Sequence, residues 1–142
     1  IALAAAADEA RALPELRRVG VVVQTTQSEH TFNEVVEQLD SHVDDLVAYD
    51  TVCFATQLRQ KAAAKLANEA DCMIVVGGRN SGNTRRLYDI SEHFCSSTHL
   101  IESADEIEPA WLDGCSCVGV TAGASTPESQ IVEVIDRLEK LS

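Results

Sequence analysis

Small hydroxyl and amide side chains gather in four turns of this sequence, and they are the first residues that could do chemistry. The turns read QTTQS, CFATQ, GGRNSGNT and TAGASTP. Ser, Thr and Asn donate neutral hydrogen bonds, and a helix N-terminus adds free N–H groups and a partial positive charge. Two of the turns run into predicted helix starts, at Asn83/Thr84 and at Ser125/Thr126. The pattern indicates a cradle for a phosphate or diphosphate, although the same side chains could serve only as helix caps.

Glycine residues in the third turn favour the same interpretation. Gly77, Gly78 and Gly82 would let the backbone approach a bound anion closely. A nucleotide-binding loop fits less well, because the turn has no Lys where GxxxxGK[ST] requires one and the chain has no GxGxxG. Arg79, Arg85 and Arg86 flank this turn, where they could contact a phosphate or lie on the surface of a helix.

The cysteines differ in what they could do. Cys53 lies in a turn directly before a predicted helix, where a thiol readily becomes the thiolate that binds soft metals. Cys72 and Cys117 lie in apolar strands and are expected to pack in the core. Alternation places Cys115 and Cys117 on one face of an extended strand, which hints at a metal clip, but no second pair with zinc spacing follows. An odd total of five cysteines favours the reducing cytoplasm over a disulfide framework.

Charge and hydropathy exclude several classes of partner. The chain has 142 residues and a formal net charge of −12, which argues against a nucleic-acid or anionic-membrane partner. No apolar run approaches the roughly 18 residues of a membrane-spanning helix. The four histidines lie in polar or boundary contexts and are expected on the solvated surface: His30, His42, His93 and His99.

Alternating strands and helices must position the four turns. Short apolar runs predict strands at Val19–Val23, which should be buried on both faces, and at Cys72–Val76, Thr98–Ile101 and Ser116–Thr121. Two helices are predicted over Arg59–Ala70 and Arg85–Phe94. A capping box at Thr31-x-x-Glu34 predicts the start of another helix, and the last helix of the chain is predicted to have Pro127 in its first position. This alternation predicts an α/β fold of three αβα layers with mostly parallel sheets. Ligands of such folds bind beyond the carboxyl ends of the strands, where the four turns lie.

The sequence resembles the 4-hydroxy-3-methylbut-2-enyl diphosphate reductase family, also called IspH or LytB. The resemblance is carried by VVVQTT and by three strings that follow it in this order: VCFATQLRQ, VVGGRNSGNTRRLYDI and GVTAGASTPE. The resemblance runs from about Ile1 to Leu141. It implies the last step of the non-mevalonate isoprenoid route, in which reductive removal of the 4-hydroxyl from an allylic diphosphate gives isopentenyl and dimethylallyl diphosphates. It also implies a [4Fe–4S] cluster with three Cys ligands and one open iron, and a ferredoxin or flavodoxin as electron donor.

The resemblance carries over to individual residues. It implies that Cys53 is one cluster ligand, and it implies substrate contacts, mainly to the diphosphate, at Thr25, Thr26, Thr56, Ser81, Gly82, Asn83 and Ser125. Gly82 stands where many relatives have Ser, so only its backbone N–H could serve there. The other two cluster cysteines and the proton-donating Glu are expected upstream of Ile1, so no catalytic residue of the family is expected in this chain.

Part of a larger enzyme is therefore expected. Residues 1–48 should form the carboxyl-terminal half of a middle α/β domain, and residues 49–142 a complete third domain, with the limit near an acidic break at His42–Asp50. One thiolate cannot hold an iron–sulfur cubane, so the chain alone is expected to be inactive. Two other interpretations stay open: a non-catalytic phosphate-binding or redox-sensing α/β module, and an unrelated α/β enzyme that binds a phosphorylated metabolite.

Overall fold

Two compact units, Ile1–Gln57 and Leu58–Ser142, make up the computed structural model, which describes residues 7–14, 16–51 and 53–141. Each unit contains a parallel sheet and helices, which confirms the predicted α/β class. The predicted domain limit between residues 48 and 49 lies upstream of the limit between these units and remains a proposal. Within the described ranges, no helix combines the length and the apolar character needed to cross a membrane.

The first unit is a two-stranded sheet packed against helices. Its elements are α1 (Ala7–Arg11), β1 (Leu16–Val22), α2 (Glu29–Asp40) and β2 (Val43–Tyr49). The strands run parallel, in a register that pairs Leu16 with Val43 and Val22 with Tyr49. Its buried core consists of Ala10, Val35 and Leu39, with Val19, Val21 and Leu46 packed around them.

Strand β1 is not buried on both faces, contrary to the prediction. Val19 and Val21 pack against the helical core, whereas Gly20 is exposed and Val22 is 74% exposed. Since the side chains of a strand alternate, one face of the run is covered and the other is open. The prediction from the continuous apolar run was therefore wrong about how much of this strand is buried.

The predicted break at His42–Asp50 instead contains strand β2. Asp44 and Asp45 made this segment resemble a solvated loop, but both are exposed residues of a regular strand. Asp45 forms a salt bridge of 3.0 Å with Arg18 on the neighbouring strand. Acidic residues on an exposed face are compatible with a strand, which explains the error.

Helix α2 begins three residues before its predicted capping box. Ser28 is the N-cap, and its Oγ accepts the N–H of Thr31 at 3.1 Å. Thr31 and Glu34 therefore lie inside the helix. One face of the helix is apolar and packed, because Phe32, Val35 and Leu39 are buried.

The second unit is built around a three-stranded parallel sheet in the order β4-β3-β5. Its elements are α3 (Phe54–Glu69), which starts in the first unit, β3 (Cys72–Val76), α4 (Gly82–Phe94), β4 (Thr98–Ile101), β5 (Val118–Ala122) and α5 (Glu128–Glu139). Two short 3-10 helices, Ala104–Glu106 and Pro109–Leu112, precede β5. The predicted strands β3 and β4 are confirmed residue for residue, and β5 begins two residues later than expected.

Strand β3 is the centre of the unit and is buried along its whole length. On one face, Ile74 packs in a cluster with Val134 of α5. On the other face, Val75 packs with Ala63 of α3 and Leu87 of α4. Helices therefore cover both faces of the sheet, which confirms the three αβα layers for this unit.

Helix starts in this unit differ from the predicted ones by a few residues. Helix α3 starts at Phe54 rather than Arg59, and α4 starts at Gly82 with Ser81 as its N-cap, so the predicted caps Asn83 and Thr84 are wrong. Pro127 is the N-cap of α5 rather than its first residue. Several consecutive capping-type residues made the choice ambiguous from sequence, since any of them can accept a backbone N–H.

Candidate functional site

The turn after β5 is tied to the end of β3. The carbonyl of Val76, the last residue of β3, accepts the N–H of Gly123 at 2.9 Å and the hydroxyl of Thr126 at 3.0 Å. Ser125, which is exposed, lies between these two anchors in the sequence. The loop that leads to α4 leaves from the same strand end, so two predicted anion-binding turns share one edge of the sheet, as ligand sites of α/β folds do.

The first turn of α4 presents hydrogen-bond donors at this edge. Ser81 caps the helix: its Oγ accepts the N–H of Thr84 at 3.3 Å, and its carbonyl accepts the N–H of Arg85 at 2.9 Å. Capping uses Ser81 as an acceptor, so its own O–H is available to donate. The N–H groups of Gly82 and Asn83 have no acceptor within the helix, because the first turn lacks a preceding turn. These donors and the helix dipole together favour an anion.

The side-chain amide of Asn83 is buried at this edge. Asn83 is only 6% exposed, and neither Nδ2 nor Oδ1 of its side chain has a hydrogen-bond partner among the described residues. Thr84 Oγ1 is in the same state. A buried polar group without a partner costs roughly 1–3 kcal/mol. This cost indicates that a ligand, or another polypeptide segment, completes the hydrogen bonds of Asn83.

Gly77 allows the two turns to approach each other. It has a φ of +144°, and a Cβ at this position would lie 2.8 Å from Oγ1 of both Thr84 and Thr126. Any side chain would therefore clash with these two hydroxyl residues. Absence of a side chain at Gly77 brings the start of α4 and the turn after β5 together.

Arg79 does not contribute a free charge to this edge. Its guanidinium forms a 3.1 Å bond to Glu102 and a second bond to Glu106, and its N–H donates to Glu102 at 2.8 Å. The hydrogen bond from Arg79 lowers the pKa of Glu106, and the same contact raises the pKa of Arg79. The donors that Ser81, Gly82 and Asn83 present are neutral hydroxyl, backbone and amide groups.

Cys53 lies at the corresponding edge of the first unit, where β1 and β2 end. Its N–H donates to the carbonyl of Thr25 at 3.2 Å, and its own carbonyl accepts the N–H of Thr56 at 2.8 Å. Cys53 directly precedes α3, as predicted, and its side chain is exposed. Thr26 is half-buried and Thr56 is buried. The fold thus joins Cys53, Thr25 and Thr56 through backbone hydrogen bonds.

The other four cysteines differ in burial. Cys72 and Cys95 are buried, Cys115 is half-buried and Cys117 is exposed, so the predicted core position of Cys117 is wrong. Cys115 and Cys117 both precede β5 and do not share a face, because only Cys115 packs against the core. Among the described residues, no group of three or more His, Cys, Asp and Glu side chains could hold a metal ion. Cys53 fits a single ligand of a cluster, and the described residues do not complete the set.

An open cavity of about 630 Å³ beside β4 was not anticipated from the sequence. Two of its lining residues, His99 and Trp111, stack with ring centroids 3.9 Å apart and planes 2° apart. Burial lowers the pKa of His99, so this residue is not the solvated surface histidine that we predicted. Its place in the short apolar strand THLI was the available sequence signal.

Relatives with assigned names align with most of this sequence. The family model described as LytB protein matches residues 1–139. The 4-hydroxy-3-methylbut-2-enyl diphosphate reductase of Geotalea daltonii is 44% identical over 138 residues, which are 97% of this chain and 49% of the relative. The reductase of the same name from Aquifex aeolicus is 48% identical over 124 residues, covering 87% of this chain and 43% of the relative.

Solved structures agree with this assignment. The structure of (E)-4-hydroxy-3-methyl-but-2-enyl diphosphate reductase, the terminal enzyme of the non-mevalonate pathway, matches with a TM-score of 0.63 and 48% identity over 88% of this chain and 44% of that chain. The E-1-hydroxy-2-methyl-but-2-enyl-4-diphosphate reductase from Plasmodium falciparum matches with a TM-score of 0.80 and 25% identity over 94% of this chain and 43% of that chain. The chain spans about half the length of the curated relatives it matches. Because the family model covers nearly the whole sequence, the resemblance carried by the three strings is confirmed, and the chain belongs to the LytB family.

Proposed function

We propose that this chain supplies the diphosphate-binding edge and one cluster ligand of a 4-hydroxy-3-methylbut-2-enyl diphosphate reductase. The observation that carries the proposal is the Asn83 amide, which is buried at the start of α4 without a hydrogen-bond partner among the described residues. A diphosphate oxygen beside it would accept from Nδ2 and remove part of the desolvation cost. The names of the relatives supply the class of substrate, an allylic diphosphate.

Neutral donors would hold the diphosphate. The hydroxyls of Ser81 and Ser125, the N–H of Gly82 and the amide of Asn83 would donate to its oxygens, and the dipole of α4 would favour its charge. Thr25, Thr26 and Thr56 are proposed as further substrate contacts. Interactions with this non-reacting end of the substrate provide binding energy that orients the reacting hydroxyl.

Cys53 would act as one thiolate ligand of a [4Fe–4S] cluster. Its exposure and its position before α3 suit this role, since the positive end of a helix favours the thiolate. When bound, such a cluster supplies electrons for reductive removal of the hydroxyl. The remaining ligands and the proton-donating Glu would come from outside this chain, and a ferredoxin or flavodoxin of the cytoplasm would deliver the electrons.

A non-catalytic phosphate-binding or redox-sensing module is the second candidate. The observation in its favour is that Ser81 and the first turn of α4 offer hydrogen-bond donors that can hold an anion without a cluster. Both candidates predict anion binding at the start of α4, so binding alone does not separate them. Measurement of catalysis by a completed protein distinguishes the two candidates.

A chimera tests the proposed function. The half of the Aquifex aeolicus reductase that this chain does not match is fused to this chain, purified without oxygen and assayed for reduction of 4-hydroxy-3-methylbut-2-enyl diphosphate. We expect reductase activity in the chimera and none in the chain alone. An inactive chimera that folds and carries its cluster would overturn the proposal and favour the non-catalytic module.

Two cysteine variants of the chimera provide a matched comparison. Cys53→Ser should lose the cluster absorption and the activity, because the variant lacks a thiolate ligand. Cys117→Ser removes another exposed cysteine and should keep both. Equal activity of the two variants would show that Cys53 is not a cluster ligand.

A further inference from the structure

Hydrogen bonds join the start of β3 to the segment before β5 at the amino-terminal edge of the second sheet. The carbonyl of Cys117 accepts the N–H of Asp71 at 2.9 Å and the N–H of Cys72 at 3.4 Å. In return, the carboxylate of Asp71 accepts the N–H of Ser116 at 2.7 Å and that of Cys117 at 2.9 Å. These four bonds fix the backbone at Asp71 and Cys72 and next to Cys115.

The thiols of Cys72 and Cys115 belong to the apolar packing next to these hydrogen-bonded segments. Cys72 is fully buried on the face of β3 that carries Ile74, and Cys115 packs against the same cluster. The proximity of Cys115 adds to the effect of burial in raising the pKa of Cys72. Cys115 is half-buried, and its thiol donates to the carbonyl of Trp111 at 3.4 Å. One member of the pair is therefore sheltered and the other is open to a small solute.

We propose that Cys72 and Cys115 are a site of oxidative modification, at which hydrogen peroxide converts the two thiols to a disulfide. The hydrogen bonds of Asp71 hold in place the two backbone segments that carry the pair. The site lies at the amino-terminal ends of the strands, whereas Ser81, Asn83 and Ser125 follow their carboxyl ends.

The reaction balances in two steps. Peroxide first oxidises the Cys115 thiol to a sulfenic acid and leaves as one water. The Cys72 sulfur then attacks the sulfenic sulfur of Cys115, the S–S bond forms, and the second water leaves with the thiol proton of Cys72. Two electrons pass from the thiols to peroxide. Burial raises the pKa of Cys72, which keeps it protonated and leaves the more accessible Cys115 to react first.

Cys95 and Cys117 are the competing partners. Cys95 is buried in a different cluster, with Met73 and Ala67, and its thiol donates to the carbonyl of Ser97 at 3.6 Å. Cys117 is exposed and does not belong to the cluster that contains Cys72. After burial and Cys115, Cys95 also contributes to the raised pKa of Cys72, but it packs in the other cluster, so the packing favours Cys115 as the partner.

Peptide mapping tests the site. The full chain carrying Cys53→Ser, which removes the exposed thiol at α3, is reduced, treated with hydrogen peroxide and digested without reductant for mass spectrometry. We expect the loss of two titratable thiols and a peptide pair that joins Cys72 to Cys115 and separates with dithiothreitol. Persistence of both thiols, or a link from either residue to Cys95 or Cys117, would overturn the proposal.

Two variants and one binding measurement sharpen the test. Cys115→Ala should abolish the linked peptides, and Cys117→Ala should retain them. Loss of the link in Cys117→Ala would instead identify Cys117 as the reacting thiol and refute the assignment. Inorganic pyrophosphate should bind the oxidised and reduced chains equally, and a several-fold difference in affinity would contradict the placement of this site away from the anion-binding edge.

Discussion

The hydroxyl of Thr126 donates to the carbonyl of Val76 at 3.0 Å and so joins the turn after β5 to the last residue of β3. The same carbonyl also accepts the N–H of Gly123 at 2.9 Å. Both bonds fix the segment that contains Ser125 beside the strand from which the loop to α4 departs. A single backbone oxygen therefore sets the relative position of two predicted anion-binding turns.

Replacement of Thr126 by Val should loosen this arrangement. Val keeps the branched shape and removes the donor, and Val76 still receives the bond from Gly123, so we expect a loss of about 1 kcal/mol in the free energy of unfolding. Affinity for inorganic pyrophosphate should fall several-fold because the Ser125 turn is less constrained. Urea unfolding and calorimetric titration measure the two effects.

Thr126→Ser is the matched control for that change. It restores the hydroxyl and should recover most of the stability and the affinity. If Thr126→Ser behaves like Thr126→Val, the methyl group rather than the hydrogen bond holds the turn.

His99 should titrate below its ordinary pKa in the folded protein. Burial against Trp111 disfavours the charged imidazole and lowers the pKa from the ordinary value of 6.5. Trp111 is the single tryptophan of the chain, so its fluorescence reports on protonation of the stacked ring. We expect a fluorescence transition with a midpoint below pH 6.5, absent in His99→Gln and present in His93→Gln, which alters an exposed histidine.

The same shift makes stability depend on pH. Because the folded state holds the proton of His99 less tightly than the unfolded state does, the contribution of neutral His99 is complete above pH 6.5 and is lost as the pH falls through the lower folded value. His99→Gln should therefore show a shallower loss of stability between neutral and mildly acidic pH. A fluorescence midpoint at or above pH 6.5 would disprove burial of this imidazole.

The isolated chain should not assemble a complete iron–sulfur cluster. Cys53 fits one ligand, and no described group of three His, Cys, Asp or Glu side chains could hold a metal. After reconstitution with iron and sulfide without oxygen, we expect no stable brown absorption beyond that of a Cys53→Ser control. A stoichiometric cubane per chain would contradict the ligand assignment.

Buried segments were the easiest part of the fold to predict from sequence. Strand β3 was predicted to the residue because Cys72–Val76 is wholly apolar and wholly buried. Strand β2 was missed because Asp44 and Asp45 are exposed, and charge at exposed positions carries no information about the backbone. Burial of Val19–Val23 was overstated because apolar character does not show how many faces a neighbour covers.

The site was predictable in its residue types and less so in its geometry. Ser81 and Asn83 stood out as small donors before a helix, but which of them caps α4 depends on backbone angles that several neighbouring residues could adopt. The bond between Cys53 and Thr25 joins residues from two loops, so it depends on the parallel pairing of β1 with β2. Stacking of His99 on Trp111 likewise depends on tertiary packing.

Titration of Ser81→Asp with inorganic pyrophosphate tests the central claim most directly. Aspartate is as good an N-cap as serine, so α4 and the unfolding midpoint should be preserved, while its carboxylate repels a bound anion. We predict a pyrophosphate affinity at least tenfold weaker than that of the unaltered chain, or about 1.4 kcal/mol. An affinity equal to that of the unaltered chain, in a variant that is just as stable, would show that Ser81 serves only as a cap and that the start of α4 is not the diphosphate site.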